Sequence, residues 1–161
     1  MLDTYNTLFI EIFIVLMFSA FFSGTEIAFV SSNKMRFEME REDGGITSRI
    51  IDIFYKHPHD FISTILVGNN IALVIYGILM AKLIDGLVLQ TIISTLIVLF
   101  TGEFLPKMLF RINPNGMLRV CAFPAMLFYI ILWPISKFAS GLSHILLFLF
   151  GMHVPKEKVD E

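Results

Sequence analysis

The sequence predicts an all-α membrane protein. It has three transmembrane helices, cytoplasmic juxtamembrane helices between the first two, and a further apolar stretch that the residues alone do not place. Three observations predict this. The runs Leu8 to Val30, Phe61 to Ala81 and Leu87 to Phe110 are each long enough to cross a bilayer, which takes about 20 apolar residues at roughly 1.5 Å each. None of them alternates with period two, and all are longer than a barrel strand. Hydrophobic residues make up 56% of the 161 positions and charged ones only 16%, too apolar a balance for a soluble domain of this length.

The first run is a retained helix rather than a cleaved leader. Residues 1–30 hold no Lys or Arg, whereas a secretory signal opens on positive charge. Residues 31–60 carry Lys34, Arg36, Arg41, Arg49 and Lys56, while the 82–86 turn holds only Lys82. The excess of positive charge marks 31–60 as cytoplasmic. The N-terminus is then outside, the second helix runs outward, and the third returns. Lys107, Arg111 and Arg119 at its inner end agree. Within 31–60, Ser31, Ser32 or Asn33 can cap a short helix that ends at Asp43-Gly44-Gly45. A second piece, Thr47 to Tyr55, puts Ile50, Ile51, Ile53 and Phe54 on an apolar face before Pro58 interrupts. Asp85-Gly86 makes a tight turn, so the second and third spans are antiparallel neighbours.

Residues 117–153 admit two readings. Val120 to Ser136 has no charge and is long enough to span, but Pro124 and Pro134 interrupt it. The other reading is a long, bent helix along the inner interface, with Arg119, Lys137, Lys156 and Lys158 at the headgroups. The tail Val154 to Glu161 is polar and ends abruptly, like a domain boundary. The single Cys121 excludes an internal disulfide and reads as a packing residue. A net charge of -2 without like-charge blocks gives no reason to expect nucleic acid as a partner.

Polar residues inside the spans carry the functional signal, because a carboxylate in hydrocarbon costs at least about 2.5 kcal/mol on insertion scales. On the first helix Ser19, Ser23 and Glu26 share one face, and Gly24 weakens the helix beside them. On the second, Asn69 and Asn70 follow Gly68 and point about 100° apart. On the third, Glu103 precedes Pro106, which cannot donate to the carbonyl of Gly102. Lys107, four residues on, can pair with Glu103. The plainer reading of these groups is helix packing and interhelical glue. The functional reading is one shared site of hydroxyl, amide, carboxylate and main-chain oxygen, which suits a hard cation such as Mg²⁺, Na⁺ or Ca²⁺. His57-Pro58-His59-Asp60 reads as an exposed start of the second span, and His144 and His153 as lone interfacial residues. No phosphate loop, nucleophile elbow or Cys/His cluster is present, and no catalysis is expected.

Three motifs, taken together and in order, resemble the transmembrane domain of the CNNM/CorC (cyclin M-like) family. They are Phe22-Ser23-Gly24-Thr25-Glu26-Ile27-Ala28, then Phe61-Ile62-Ser63-Thr64-Ile65-Leu66-Val67-Gly68-Asn69-Asn70, and Gly102-Glu103-Phe104-Leu105-Pro106-Lys107 with Asn113-Pro114. The resemblance makes 1–161 one CNNM/CorC-like domain of the inner (plasma) membrane, with a belt-like interfacial helix over 117–153 and the C-terminus cytoplasmic. It implies a homodimer that transports Mg²⁺, with Na⁺ as the coupling ion in an export cycle. It also implies Mg²⁺ ligands at Ser19, Ser23, Gly24, Asn70 and Glu103, with Asn69 nearby. Glu26 and Lys107 match family positions suited to ion coupling or charge balance. Family members usually continue into cytoplasmic CBS domains. Their absence from these residues points to a fragment. The other function in view is a non-transporting scaffold or Mg²⁺ sensor.

Overall fold

A computed structural model describes residues 1–40 and 45–152. The described residues form helices and no strand. The expected Asp43-Gly44 stop, His153 and the tail 154–161 lie outside them.

Helix α1 runs Leu2–Ser31 and is longer than the apolar run that predicts it, because the first turn continues through Asp3. Two short helices follow. In α2, Lys34–Glu40, Asn33 supplies the cap: its Oδ1 accepts from the Arg36 N–H at 3.1 Å. In α3, Ile46–Lys56, the expected apolar face forms, with Ile50, Ile51 and Phe54 buried and Ile53 half-buried. Pro58 then opens α4, Pro58–Leu83, at a first-turn position where its missing N–H costs nothing. Gly86, at φ +98°, makes the turn to the third run, a left-handed geometry that only glycine adopts freely.

The third run is not a uniform α-helix. Helix α5 covers Leu87–Ile97 and α6 covers Leu105–Ile112, and a π-helical segment, Val98–Phe104, joins them. Helix α7 is one continuous helix, Pro114–Leu149, of 36 residues. It carries both Pro124 and Pro134 without ending. That corrects the expectation that these prolines interrupt the stretch. Proline is better tolerated in apolar helices, where neighbours and local backbone adjustment absorb the freed carbonyls. Among the described residues four helical runs are long and apolar enough to cross a membrane: α1, α4, α5 to α6, and α7.

Helices α1 and α4 are antiparallel. The Phe29 ring lies 4.8 Å from Phe61, Ser19 meets Asn69, and Ile12 clusters with Tyr76. The third run lies parallel to α1, with Gly102 beside Ser19 and Phe110 over Gly24. The Tyr76 hydroxyl donates to the Ser94 carbonyl at 2.9 Å, which pins α4 to α5. Two apolar clusters result. The larger gathers Phe22, Phe29, Phe37, Ile51, Phe54 and Phe61 with the start of α7, and the smaller gathers Ile12, Tyr76, Leu79 and Met80. Ser19 of α1 and Asn69 of α4 lie between them.

Helix α7 stays close to the end of the bundle that holds α2 and α3. Asn115 exchanges two hydrogen bonds with the Asn33 backbone, at 3.0 and 3.1 Å. Arg119 pairs with Glu40 at 3.3 Å, Tyr129 faces Phe54 and Phe61, and Lys137 reaches Asp60 at 2.8 Å. Between Tyr129 and Lys137, Ile131 and Leu132 face Gly68, Ile71 and Ile75 of α4.

Candidate functional site: a polar layer inside the helix bundle

Ser19 is the junction of three segments. Its hydroxyl donates to Asn69 Oδ1 at 3.0 Å, and the two residues are 1% and 9% exposed. From the third run, Gly102 is so close that a Cβ on it would stand 3.1 Å from Ser19 Oγ. A residue with any side chain at 102 would press on that bond, so the small residue lets the third helix reach the layer. Ser19, Asn69 and the Gly102 turn thus lie together.

Asn69 and Asn70 are separated by the packing. Asn69 turns into the bundle, while Asn70 faces outward from the chain. The residues alone leave both open, since a rotation of about 100° separates them and only the placement of α1 decides which is inside. The resemblance implies a ligand at Asn70 with Asn69 nearby, whereas the residue that meets Ser19 is Asn69.

Ser23 lies one turn along α1 from Ser19, on the same stripe. It is 1% exposed, and its Oγ has no hydrogen-bond partner. A buried hydroxyl left unpaired costs about 1–3 kcal/mol, so a partner that completes it is expected. Gly24 is covered by Phe110: a Cβ there would stand 2.8 Å from three ring atoms. Glu26 is half-buried one turn further on. Thr25, absent from the predicted set, is also fully buried, and its hydroxyl faces the Cys121 thiol. A hydroxyl between Gly24 and Glu26 was the available signal for it.

Glu103 and Lys107 are both half-buried. Among the described residues no ion pair joins them. The α-helical spacing of four that favours such a pair does not hold here, because Glu103 sits in the π segment and Lys107 in α6. The same segment adds to the expectation for Pro106. Leu105 donates five residues back, to the Phe100 carbonyl. In that register the carbonyl left unserved by Pro106 is that of Thr101, whereas an α register would free Gly102. Single-turn π insertions are common at functional sites.

Among the described residues no three His, Cys, Asp or Glu side chains converge. Any ion held in the layer would therefore be held by hydroxyl, amide and main-chain oxygen, with Glu103 as the nearest carboxylate in sequence to Gly102. Such a donor set fits a hard cation better than zinc or copper.

The sequence model of the cyclin M transmembrane N-terminal domain matches residues 9–161. The "UPF0053 protein MG146" of Mycoplasma genitalium is 29% identical over 149 residues, covering 85% of this chain and 35% of that protein. The "UPF0053 inner membrane protein YfjD" of Escherichia coli is 25% identical over 140 residues, covering 83% of this chain and 33% of that protein. A "UPF0053 protein" of Haemophilus influenzae is 28% identical over 153 residues, covering 87% and 36%. The chain thus spans about a third of the length of the curated relatives it matches.

Proposed function

The chain belongs to the cyclin M transmembrane N-terminal domain (CNNM/CorC) family of multi-pass membrane proteins, and on that premise we propose that it carries Mg²⁺ through the membrane, with Na⁺ as the coupling ion. The observation that supports this most is the convergence at Ser19. A hydroxyl, an amide and a glycine of a π segment meet in the middle of an apolar bundle, beside a buried Ser23 hydroxyl that lacks a partner. Mg²⁺ sheds water reluctantly, so its carrier must offer several fixed oxygens at once. In this reading Ser19, Ser23, Asn69 and Glu103 supply side-chain oxygen, and the backbone near Gly24 and Thr101 supplies carbonyls. Glu26 and Lys107 balance the charge. Movement of the third run between π and α registers would offer and withdraw Glu103, giving alternating access. That mechanism fits export of the cytoplasmic ion.

The same proposal places the N-terminus outside and α7 along the inner surface as a belt, leaving three spans. Two features favour the belt. At 36 residues, α7 is about 54 Å long against a hydrocarbon core of about 30 Å. Its contacts from Asn115 to Lys137 also include α2, α3 and the first turn of α4. A homodimer is proposed from the third run, which exposes Ile92, Leu96, Phe100 and Phe104.

A non-transporting scaffold or Mg²⁺ sensor is favoured by one observation: Ser19 and Asn69 already satisfy each other at 3.0 Å, as packing residues do. Liposomes separate the two. Mg²⁺ movement driven by a Na⁺ gradient supports transport, and Mg²⁺ binding without movement supports the sensor. In either case Glu103→Gln should weaken the rise in melting temperature that Mg²⁺ produces. An unchanged Mg²⁺ response in that variant overturns the assignment of Glu103.

A further inference from the structure

A cavity of about 180 Å³ opens between α1, α4 and α7, walled by Val15, Phe22, Gly68, Ile75, Phe128 and Leu132. Its wall is almost wholly hydrocarbon, and the polar layer does not use it. Its size limits what can fill it. An apolar cavity of about 150 Å³ stays dry and accepts a benzene-sized hydrocarbon. A helix with its side chains is roughly 10–12 Å across and does not fit. A length of acyl chain does.

One stripe of α4 links this cavity to a charged rim. Ile71, which also lines the cavity, lies about three turns, or roughly 16 Å, along the same face from Asp60. That is close to the depth of one leaflet, about half of a 30 Å core. Asp60 Oδ2 accepts from Lys137 Nζ at 2.8 Å, and the same ammonium lies 5.7 Å from the centre of the Trp133 ring. Both partners remain accessible, with the Lys137 side chain 45% and the Asp60 side chain 26% exposed. Trp and Lys together are the residues expected at headgroup level.

We infer that cavity and rim form one phospholipid site, whose headgroup carries a phosphate and a primary ammonium, as in phosphatidylethanolamine. One acyl chain fills the cavity. At the rim the phosphate meets Lys137 and the ammonium meets Asp60, so one ion pair becomes two. A net anionic headgroup is a poorer match, since it must displace Asp60 from Lys137 and leave that carboxylate unpaired. The site does not depend on which ion the polar layer holds.

The test is native mass spectrometry of the protein released from nanodiscs holding equal phosphatidylethanolamine and phosphatidylglycerol with the same acyl chains. Two partly exposed charge contacts predict about a fivefold excess of retained phosphatidylethanolamine. Asp60→Asn and Lys137→Gln should each abolish that excess. Ile71→Trp should lower retention of both lipids, while Val74→Trp, on an exposed position off the cavity, should not. Equal retention of the two lipids by the unmodified protein, or unchanged retention in Ile71→Trp, overturns the proposal. If Ile71→Trp does not fold, the two rim variants decide: a persisting excess in both overturns it.

Discussion

Replacing Asn69 and Asn70 one at a time by alanine separates a buried amide from an outward one at adjacent positions. Asn69 accepts the Ser19 hydroxyl at 3.0 Å and is 9% exposed. Its loss removes an interhelical hydrogen bond within the membrane, worth about 0.6 kcal/mol on average and up to about 1.7. It also empties the space of three heavy atoms between α1 and α4, at a cost of about 1 kcal/mol by analogy with small core truncations. Alanine returns roughly 0.6 kcal/mol through helix propensity. The Ser19 hydroxyl can fall back on its own helix, which limits the damage. The net expectation is a destabilisation of about 1–2 kcal/mol for Asn69→Ala. Asn70 is exposed, so Asn70→Ala keeps only the propensity gain and should be neutral or stabilising by about 0.5 kcal/mol. Equilibrium unfolding in mixed micelles of dodecylmaltoside and SDS, followed by helical ellipticity, measures both. The melting shift with Mg²⁺ should shrink in the first variant and persist in the second. Equal destabilisation by the two variants, or a larger loss of the Mg²⁺ shift in Asn70→Ala, refutes the orientation argued for α4.

Other outcomes follow from single contacts. Gly24→Ala drives a methyl to within 2.8 Å of the Phe110 ring, and overpacking of about 1–3 kcal/mol should exceed the helix-propensity gain of about 1. Phe110→Leu in the same chain should recover much of that loss, and an additive double variant would contradict it. Tyr55 bonds Ser32 at 2.6 Å, and burial raises its phenol above the usual range despite that bond. A raised folded-state value means the contribution is complete below the unfolded value of about 10 and is lost as the pH climbs through the folded one. Stability should therefore fall more steeply above that pH in the unmodified protein than in Tyr55→Phe, and identical alkaline profiles would count against it.

Much of the fold was legible because the bilayer sorts residues sharply. The three long helical runs Leu8 to Val30, Phe61 to Ala81 and Leu87 to Phe110, the two short helices after the first, and the Gly86 turn follow from contrasts between apolar runs and charged or turn residues. The details of the polar layer were less legible because they depend on rotation and register. Whether Asn69 or Asn70 faces α1 is a matter of helix phase, which no local signal sets. The π segment adds the Thr101 carbonyl to that of Gly102 as one Pro106 cannot serve, and it leaves Glu103 and Lys107 without an ion pair to each other. Pro124 and Pro134 misled for the opposite reason. They are strong breakers in water, and here the continuous apolar helix persists through both.

The two Asn33–Asn115 bonds join positions 82 residues apart, and Ser19 waits 50 residues for Asn69. At a synthesis rate of about 5–20 residues per second, the clasp between Asn33 and Asn115 closes roughly 4–16 seconds after Asn33 is made. Until Asn69 is made, the first helix is in the translocation machinery or the lipid with Ser19 uncommitted. Nascent chains halted before residue 69 should therefore be the ones most readily captured by quality control.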